Sequence, residues 1–175
     1  RFINMNIKKT ANLLINFTIK RLAEIFGIFV FGVGVLLLIA LLTYSPEDPN
    51  FIFPDNMEIK NILGFQGSFI SDLFFQSLGL ISFMIAFTLI FTGISIFRMK
   101  EFFLIIENIF FSVIYSIFGS LFLSHYYTDA FNLYINGNGG FVGNYLDKTF
   151  LKSLILINET IFYYTIIILT LILFL

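Results

Sequence analysis

The chain has 175 residues, of which 58% are hydrophobic and only 12% are charged, and its mean hydropathy is +0.94. A soluble domain of this length cannot bury so much apolar side chain, so these values exclude a soluble globular protein and indicate that the surrounding solvent is lipid. The absence of cysteine excludes disulfides and thiolate metal sites, and a net charge of -1 conceals a strongly uneven placement of lysine and arginine.

The N-terminal stretch, residues 1–24, places basic side chains among apolar pairs. Its basic residues include Lys8, Lys9, Lys20 and Arg21. This pattern predicts an amphipathic or irregular lead-in at a membrane surface, on the cytoplasmic side. A basic flank before an apolar run is also typical of a signal peptide, but the run that follows is too long and has no small-x-small cleavage site. We therefore predict an uncleaved anchor.

The first predicted span covers residues 25–44, which contain no charged side chain. A helix needs about 20 apolar residues to cross the hydrocarbon core of a bilayer, so this run is long enough. Pro46 and Pro49 stop the helix just beyond it, because proline lacks an N–H and restricts the residue before it. We interpret Asp48, between the prolines, chiefly as a turn and cap residue, with contact to a partner protein as the alternative.

Three further apolar runs predict spans over residues 73–97, 102–124 and 154–175. Asp72 precedes the second run, where an acidic side chain can cap a helix and suits its dipole. The basic turn of residues 98–101 is so short that the helices on either side of it must form an antiparallel hairpin. The Gly-rich residues 136–143 predict a tight turn or a partly re-entrant segment, followed by a short amphipathic stretch. The predicted fold is thus an all-α membrane protein with four transmembrane helices over residues 25–175.

The basic residues also predict the orientation, since positive charge is retained on the cytoplasmic side of short loops. With four crossings, one side holds Arg1, Lys8, Lys9, Lys20, Arg21, Arg98 and Lys100, and the other holds Lys60, Lys148 and Lys152. The N-terminus and C-terminus are therefore predicted to be cytoplasmic, and the Gly-rich segment before the last helix extracytoplasmic.

Two acidic residues in the predicted spans raise a second function class. Glu107 lies near the start of the third run and Glu159 near the start of the fourth. An ionisable group in hydrocarbon is costly and needs a reason to be there. We interpret Glu107 as structural and leave the role of Glu159 open. The alternative is a small four-span transporter or channel subunit that uses both carboxylates.

Other chemical motifs are incomplete. Gly143 is followed after four residues by Lys148 and Thr149, as in a phosphate-binding loop, but the glycine before the lysine is missing. Val142 occupies the last glycine position of a possible GxGxxG motif, and His125 has no metal-binding partner at ligand spacing. Outside the cytoplasmic flank, the sequence contains no basic stripe with interleaved aromatic residues of the kind that would indicate nucleic-acid binding. The sequence predicts no catalytic, cofactor or metal site.

Several short motifs, taken in order, resemble a known family over residues 21–175. They are LTYSPEDPNF at residues 42–51, N-x-x-G-x-x-G from residue 61, DLFF from residue 72 and GG-x-x-G from residue 139. The residues that we single out in them are Ser45, Pro46, Asp48, Pro49, Asn61, Gly64, Gly67, Asp72, Gly139, Gly140 and Gly143. Together they resemble the N-terminal four-helix membrane domain of FtsK-type DNA translocases.

This resemblance implies a non-catalytic anchor in the bacterial inner membrane at the division septum. The family anchors a hexameric cytoplasmic ATPase motor that couples chromosome segregation to cell division. The resemblance implies contact with membrane lipid, with other septal division proteins and with further copies of the chain. ATP and Mg²⁺ are implied only for the motor, whose Walker motifs and DNA-binding winged helix do not occur in these 175 residues. We therefore expect this stretch to bind no cofactor and no nucleic acid.

Overall fold

The computed structural model describes residues 2–49, 58–127, 136–149, 151 and 158–175, with side chains from residue 9 onward. These residues form helices and connecting loops. The six helices are α1 (Phe2–Leu42), α2 (Gly64–Leu78), α3 (Ser82–Met99), α4 (Leu104–Tyr126), α5 (Gly140–Thr149) and α6 (Glu159–Phe174). Three segments are long and apolar enough to cross a membrane, namely Lys9–Leu42, Gly64–Met99 and Leu104–Tyr126, and α6 is a shorter apolar helix. The all-helical class agrees with a membrane protein.

Helix α1 continues without a break from the lead-in into the apolar run. The sequence predicts an amphipathic or irregular lead-in for residues 1–24 and a span from residue 25, and one helix of 41 residues covers both. No glycine or proline precedes Gly27, so no residue stops the helix there. The charges at the junction are also paired, since Glu24 contacts Arg21 at 2.6 Å and Lys100 at 2.9 Å.

The second apolar run is two helices instead of one. The sequence predicts a span over residues 73–97, but α2 begins earlier, and a 3₁₀ turn, Gly79–Ile81, separates it from α3. Gly79 has φ +63° and ψ -141°, a conformation that essentially only glycine adopts without strain. Asp72 lies well inside α2 and does not cap it.

The third run corresponds to α4, within two residues of the prediction at each end. The fourth begins later, because α6 starts at Glu159. Residues 154–157 of the predicted last span, and Asn50, Phe51 and Lys152, lie outside the described residues. The amphipathic stretch predicted after the Gly-rich residues is helix α5.

Helices α1 and α3 pack backbone to backbone. A Cβ added at Gly27 would lie 2.7 Å from the Phe97 nitrogen and 2.8 Å from the Gly93 oxygen. One added at Gly34 would lie 2.7 Å from the Ile90 nitrogen. Small residues of this kind allow close helix approach inside a membrane, where the hydrophobic effect gives helices no reason to associate.

Helix α4 packs on α3 through two polar contacts. Asn108 Nδ2 donates to Thr92 Oγ1 at 2.8 Å, and the hydroxyls of Thr88 and Tyr115 lie 2.7 Å apart. Helix α6 packs on α4, where the rings of Tyr115 and Phe174 meet edge to face at 5.7 Å. These two pairs of polar side chains therefore join α3 to α4 inside the bundle.

The bundle has two chemically different ends. At the end that we call the basic end, Arg21 and Lys100 flank Glu24 and join α1 to the turn between α3 and α4. At the opposite end, which we call the loop end, α2 packs on α1 and α5, and α5 packs on α4. The described residues that carry the family resemblance lie at this end.

Candidate interaction site at the loop end

The carboxylate of Asp48 closes the loop that follows α1. Asp48 is 2% exposed, and its two oxygens accept hydrogen bonds from the backbone N–H groups of Lys60 at 2.8 Å and Asn61 at 2.9 Å. Its own N–H donates to the Ser45 carbonyl at 3.2 Å. Pro46 is exposed at the tip of this turn. The buried carboxylate therefore holds two distant parts of the loop together, which supports a structural role for Asp48.

Asn61 joins that loop to the end of α1. Its Nδ2 donates at 2.9 Å to the carbonyl of Ala40, which lies in the last turn of α1, where carbonyls lack partners within the helix. Its Oδ1 accepts from the Leu63 N–H at 3.1 Å. A Cβ added at Gly67 would lie 2.2 Å from this same Oδ1. Gly64 turns the chain into α2 with φ +67°. The N-x-x-G-x-x-G motif thus stabilises the C-terminal end of α1.

Two side-chain contacts hold α2 against the loop. Ser68 Oγ donates to the Pro49 carbonyl at 3.2 Å. The Tyr44 hydroxyl donates to Asp72 Oδ1 at 3.0 Å. The structure therefore brings Ser45, Pro46, Asp48, Pro49, Asn61, Gly64, Gly67 and Asp72 into one neighbourhood.

The glycines of the GG-x-x-G motif pack against backbone. A Cβ added at Gly139 or at Gly143 would lie 2.2 Å from the Ser120 carbonyl oxygen. Gly140 has φ +64°, and a Cβ there would lie 2.6 Å from the Gly79 nitrogen. These glycines let the start of α5 fit between α4 and the break after α2.

Asparagines form several of the hydrogen bonds around this junction. The Asn138 carbonyl accepts from the Leu80 N–H at 2.9 Å, and its side-chain amide donates to the Tyr127 carbonyl. Asn136 Nδ2 donates to the Gln76 carbonyl at 3.2 Å. Sequence reasoning missed these residues, because polar residues in a Gly-rich stretch are equally typical of an exposed turn.

His125 and Asp147 form a second connection between α4 and α5. His125 Nδ1 lies 2.7 Å from Asp147 Oδ1, and both side chains are partly exposed. The sequence analysis finds no partner for His125 because the aspartate lies 22 residues away along the chain. Only the docking of α5 brings the two together.

Replacing Asp147 with alanine should weaken the docking of α5. An ion pair or hydrogen bond with this exposure is worth about 0.5–1 kcal/mol, and we expect a loss of that size. Thermal unfolding of the purified chain in detergent, followed by circular dichroism, measures it. Lys148→Ala is the matched control on the same helix, because Lys148 is exposed and makes no ion pair among the described residues. Equal melting temperatures for the two variants would contradict the role of the pair.

Glu107 and Glu159 lie at opposite ends of the bundle. Each is in the first turn of its helix and is exposed. Glu159 belongs to the loop end, where its carbonyl accepts from the Tyr126 hydroxyl at 3.0 Å, and Glu107 lies near the basic end. The described residues hold no cluster of three or more His, Cys, Asp or Glu side chains that could hold a metal ion.

Helix α5 presents an aromatic face to its surroundings. Phe141 and Tyr145 are 59% and 58% exposed, and their rings stack at 6.0 Å. Lys148 lies three residues further along the same helix and is also exposed. This face remains exposed while Gly140, Gly143 and Asp147 hold the helix in place.

A family model matches most of this chain, and two individual relatives match shorter parts of it. The family described as the 4TM region of DNA translocase FtsK/SpoIIIE matches residues 19–175. The DNA translocase FtsK of Rhizobium meliloti (strain 1021) is 33% identical over 69 residues, and that of Caulobacter vibrioides (strain ATCC 19089 / CIP 103742 / CB 15) is 40% identical over 63 residues. These alignments cover 39% and 36% of this chain and 8% of each relative, so the matched part is a small fraction of those proteins. No solved structure matches the chain.

Proposed function

We infer that this chain is a membrane anchor, because it belongs to the 4TM region family of the DNA translocases FtsK/SpoIIIE. The match over residues 19–175 is the observation that carries the proposal, and it lies in the transmembrane region of the translocase and not in the motor. Three long apolar helices fit a protein of the inner membrane. In this role the chain catalyses nothing itself and holds a cytoplasmic motor at the membrane.

In the proposed arrangement four helices cross the bilayer. The spans are the apolar part of α1, helices α3 and α4, and a fourth that includes α6. Helix α6 has 16 residues, which at about 1.5 Å per residue is slightly short for about 30 Å of hydrocarbon.

The proposed orientation places the basic end in the cytoplasm and the loop end outside it. Arg21, Arg98 and Lys100 belong to the basic end, and positive residues in short loops are retained in the cytoplasm. Both termini of the chain are then cytoplasmic, which is the side on which a motor domain would act.

Cysteine labelling tests this orientation directly, because the natural chain contains no cysteine. Glu58 and Glu101 are both exposed glutamates, one at each end of the bundle, and Glu58→Cys and Glu101→Cys form a matched pair. In cells whose inner membrane is intact but externally accessible, a membrane-impermeant maleimide should label only Glu58→Cys. After the membrane is permeabilised, both should react. Labelling of Glu101→Cys in intact cells would contradict the orientation.

We further propose that the loop end recruits the chain to the division septum through other septal proteins, and that copies of the chain associate as a hexamer. The exposed Phe141 and Tyr145 of α5 support a contact surface there, because aromatic side chains are enriched where proteins bind partners.

A fluorescent fusion tests recruitment. In dividing cells the fusion should concentrate at the septum, and a Phe141→Ser, Tyr145→Ser double variant should stay in the membrane without concentrating there. Its melting temperature should be unchanged, because both side chains point away from the bundle. A uniform membrane signal for the natural sequence would contradict septal recruitment while leaving the anchoring role intact.

The transporter or channel alternative receives no support from the positions of Glu107 and Glu159. A pathway requires polar groups that continue from one end of the bundle to the other. The Glu107→Gln, Glu159→Gln double variant should therefore behave as the natural chain does in growth and localisation. Proton or ion movement through liposomes containing the purified chain would show that anchoring is not its whole function.

A further inference from the structure

A recess of about 500 Å³ lies between α1 and α2 near the loop end. One wall consists of Val33, Leu36 and Leu37 from α1, and the other of Ile70, Leu73 and Phe74 from α2. The α2 residues are three or four positions apart, so they lie on one face of that helix. The opposite face of α2, with Ser68, Ser71 and Phe75, is buried in the bundle.

The lining of the recess matches a hydrocarbon ligand. None of the residues that line it is charged, and Gln66 supplies the one polar side chain. A ligand with charged or hydrogen-bonding groups would lose its hydration there without compensation. Leu36 and Leu73 are 52% and 54% exposed, so in the proposed membrane embedding the recess opens toward lipid.

A transmembrane helix fits this recess less well than a lipid chain. Helices in membranes associate where small residues let their backbones approach. The two small residues in the lining are Ala40 and Gly67, and both are already used inside the chain. Ala40 is buried, and a Cβ added at Gly67 would strike Asn61 at 2.2 Å. The remaining lining consists mainly of bulky side chains, which separate backbones.

We propose that this recess binds one acyl chain of a phospholipid from the leaflet at the loop end. The acyl chain lies between α1 and α2 and supplies van der Waals contacts that the side chains of the two walls would otherwise lack. The lipid then supports α2 on the side opposite its buried serines. This inference rests on the proposed membrane embedding but not on septal recruitment or hexamer formation.

Quantifying co-purified phospholipid tests the proposal. The chain is extracted from vesicles of phosphatidylethanolamine and phosphatidylglycerol into a mild detergent, washed, and analysed by native mass spectrometry. Ile70→Trp fills the recess from the α2 side. Ile94→Trp is the matched control, because Ile94 of α3 is 39% exposed and Ile70 is 40% exposed, but only Ile70 lines the recess. Leu36→Trp fills the recess from α1 and serves as a second variant if Ile70→Trp misfolds.

We expect the natural chain and Ile94→Trp to retain one phospholipid per chain, and Ile70→Trp and Leu36→Trp to lose it at unchanged helical content. Equal retention by all four, or no retained lipid on the natural chain, would overturn the proposal. A Leu36→Cys variant provides a second readout. Membranes that contain this variant together with a second copy of the chain carrying one cysteine are oxidised. We expect no disulfide between the two copies. Efficient disulfide formation there would instead assign the recess to a helix of a second copy.

Discussion

Replacing Gly79 with alanine is expected to lower the free energy of unfolding by about 2–6 kcal/mol and to detach α5 from α2. Two separate costs contribute. The backbone at Gly79 has φ +63° and ψ -141°, which strains a residue with a Cβ. The added Cβ would also lie 1.9 Å from the Asn138 carbonyl oxygen, which now accepts a hydrogen bond from Leu80.

The structural consequence should be local. The contact between Gly79 and Asn138 joins the end of α2 to the Gly-rich segment before α5. This segment must therefore move to admit a methyl group at Gly79. We expect a large fall in melting temperature in detergent and faster chymotrypsin cleavage after Phe141 and Tyr145. Cleavage at these residues requires α5 to open, although their side chains are already exposed.

Two other glycines separate the contributions to this effect. Gly64 has φ +67° but open space where a methyl group would be added, so Gly64→Ala should show only the backbone strain of about 1–2 kcal/mol. Gly32 is helical and also has open space, so Gly32→Ala should be neutral or stabilising by up to about 1 kcal/mol. If Gly79→Ala were no worse than Gly64→Ala, the contact with Asn138 would not matter for stability.

Replacing Asp48 with alanine is the second substitution with a large expected effect, a loss of about 3–6 kcal/mol. Hydrogen bonds from two backbone N–H groups to a charged acceptor contribute about 1.5–3 kcal/mol each, and Asp48 accepts from Lys60 and Asn61. The alanine leaves both N–H groups without their acceptor, and the hydrogen bond to Asn61 is buried while that to Lys60 is partly buried. Asp48→Asn keeps one acceptor oxygen and should lose about half as much.

Glu47→Ala is the matched control for Asp48. Glu47 is the preceding acid in the same loop, and a hydrogen bond from Lys60 holds the pKa of its carboxyl below its usual range. The Glu47 side chain is nevertheless 72% exposed, so this contact is screened by solvent and its loss should hardly change the melting temperature. An unchanged melting temperature for Asp48→Ala, together with lost septal recruitment, would instead assign Asp48 to partner contact.

Local sequence predicted the features that depend on neighbouring residues. The charge-free run of residues 25–44 and the prolines after it predicted the end of α1 to within two residues. The short turn after α3 predicted a hairpin, and the ordered motifs predicted the family, which the match over residues 19–175 confirms. Each of these depends on apolar length or on turn chemistry, which can be read along the chain.

Features that depend on distant residues could not be predicted in this way. Gly79 lies in an apolar run, where a glycine is equally consistent with helix packing, and only the position of Asn138 explains the break. The partner of His125 likewise depends on where α5 docks. The partner of Glu24 likewise could not be predicted, because Lys100 lies in the turn after α3, far from Glu24 along the chain.

The paired charges around Glu24 have a consequence for bilayers of different thickness. Drawing Glu24, Arg21 and Lys100 into hydrocarbon together would be costly, so this cluster fixes the depth of α1 and α3 relative to one membrane surface. A thicker or thinner bilayer must then be matched at the other surface, by tilting or by local deformation of the lipid. The cluster would thereby keep any domain attached on its side at a constant height above the membrane, whatever the lipid composition.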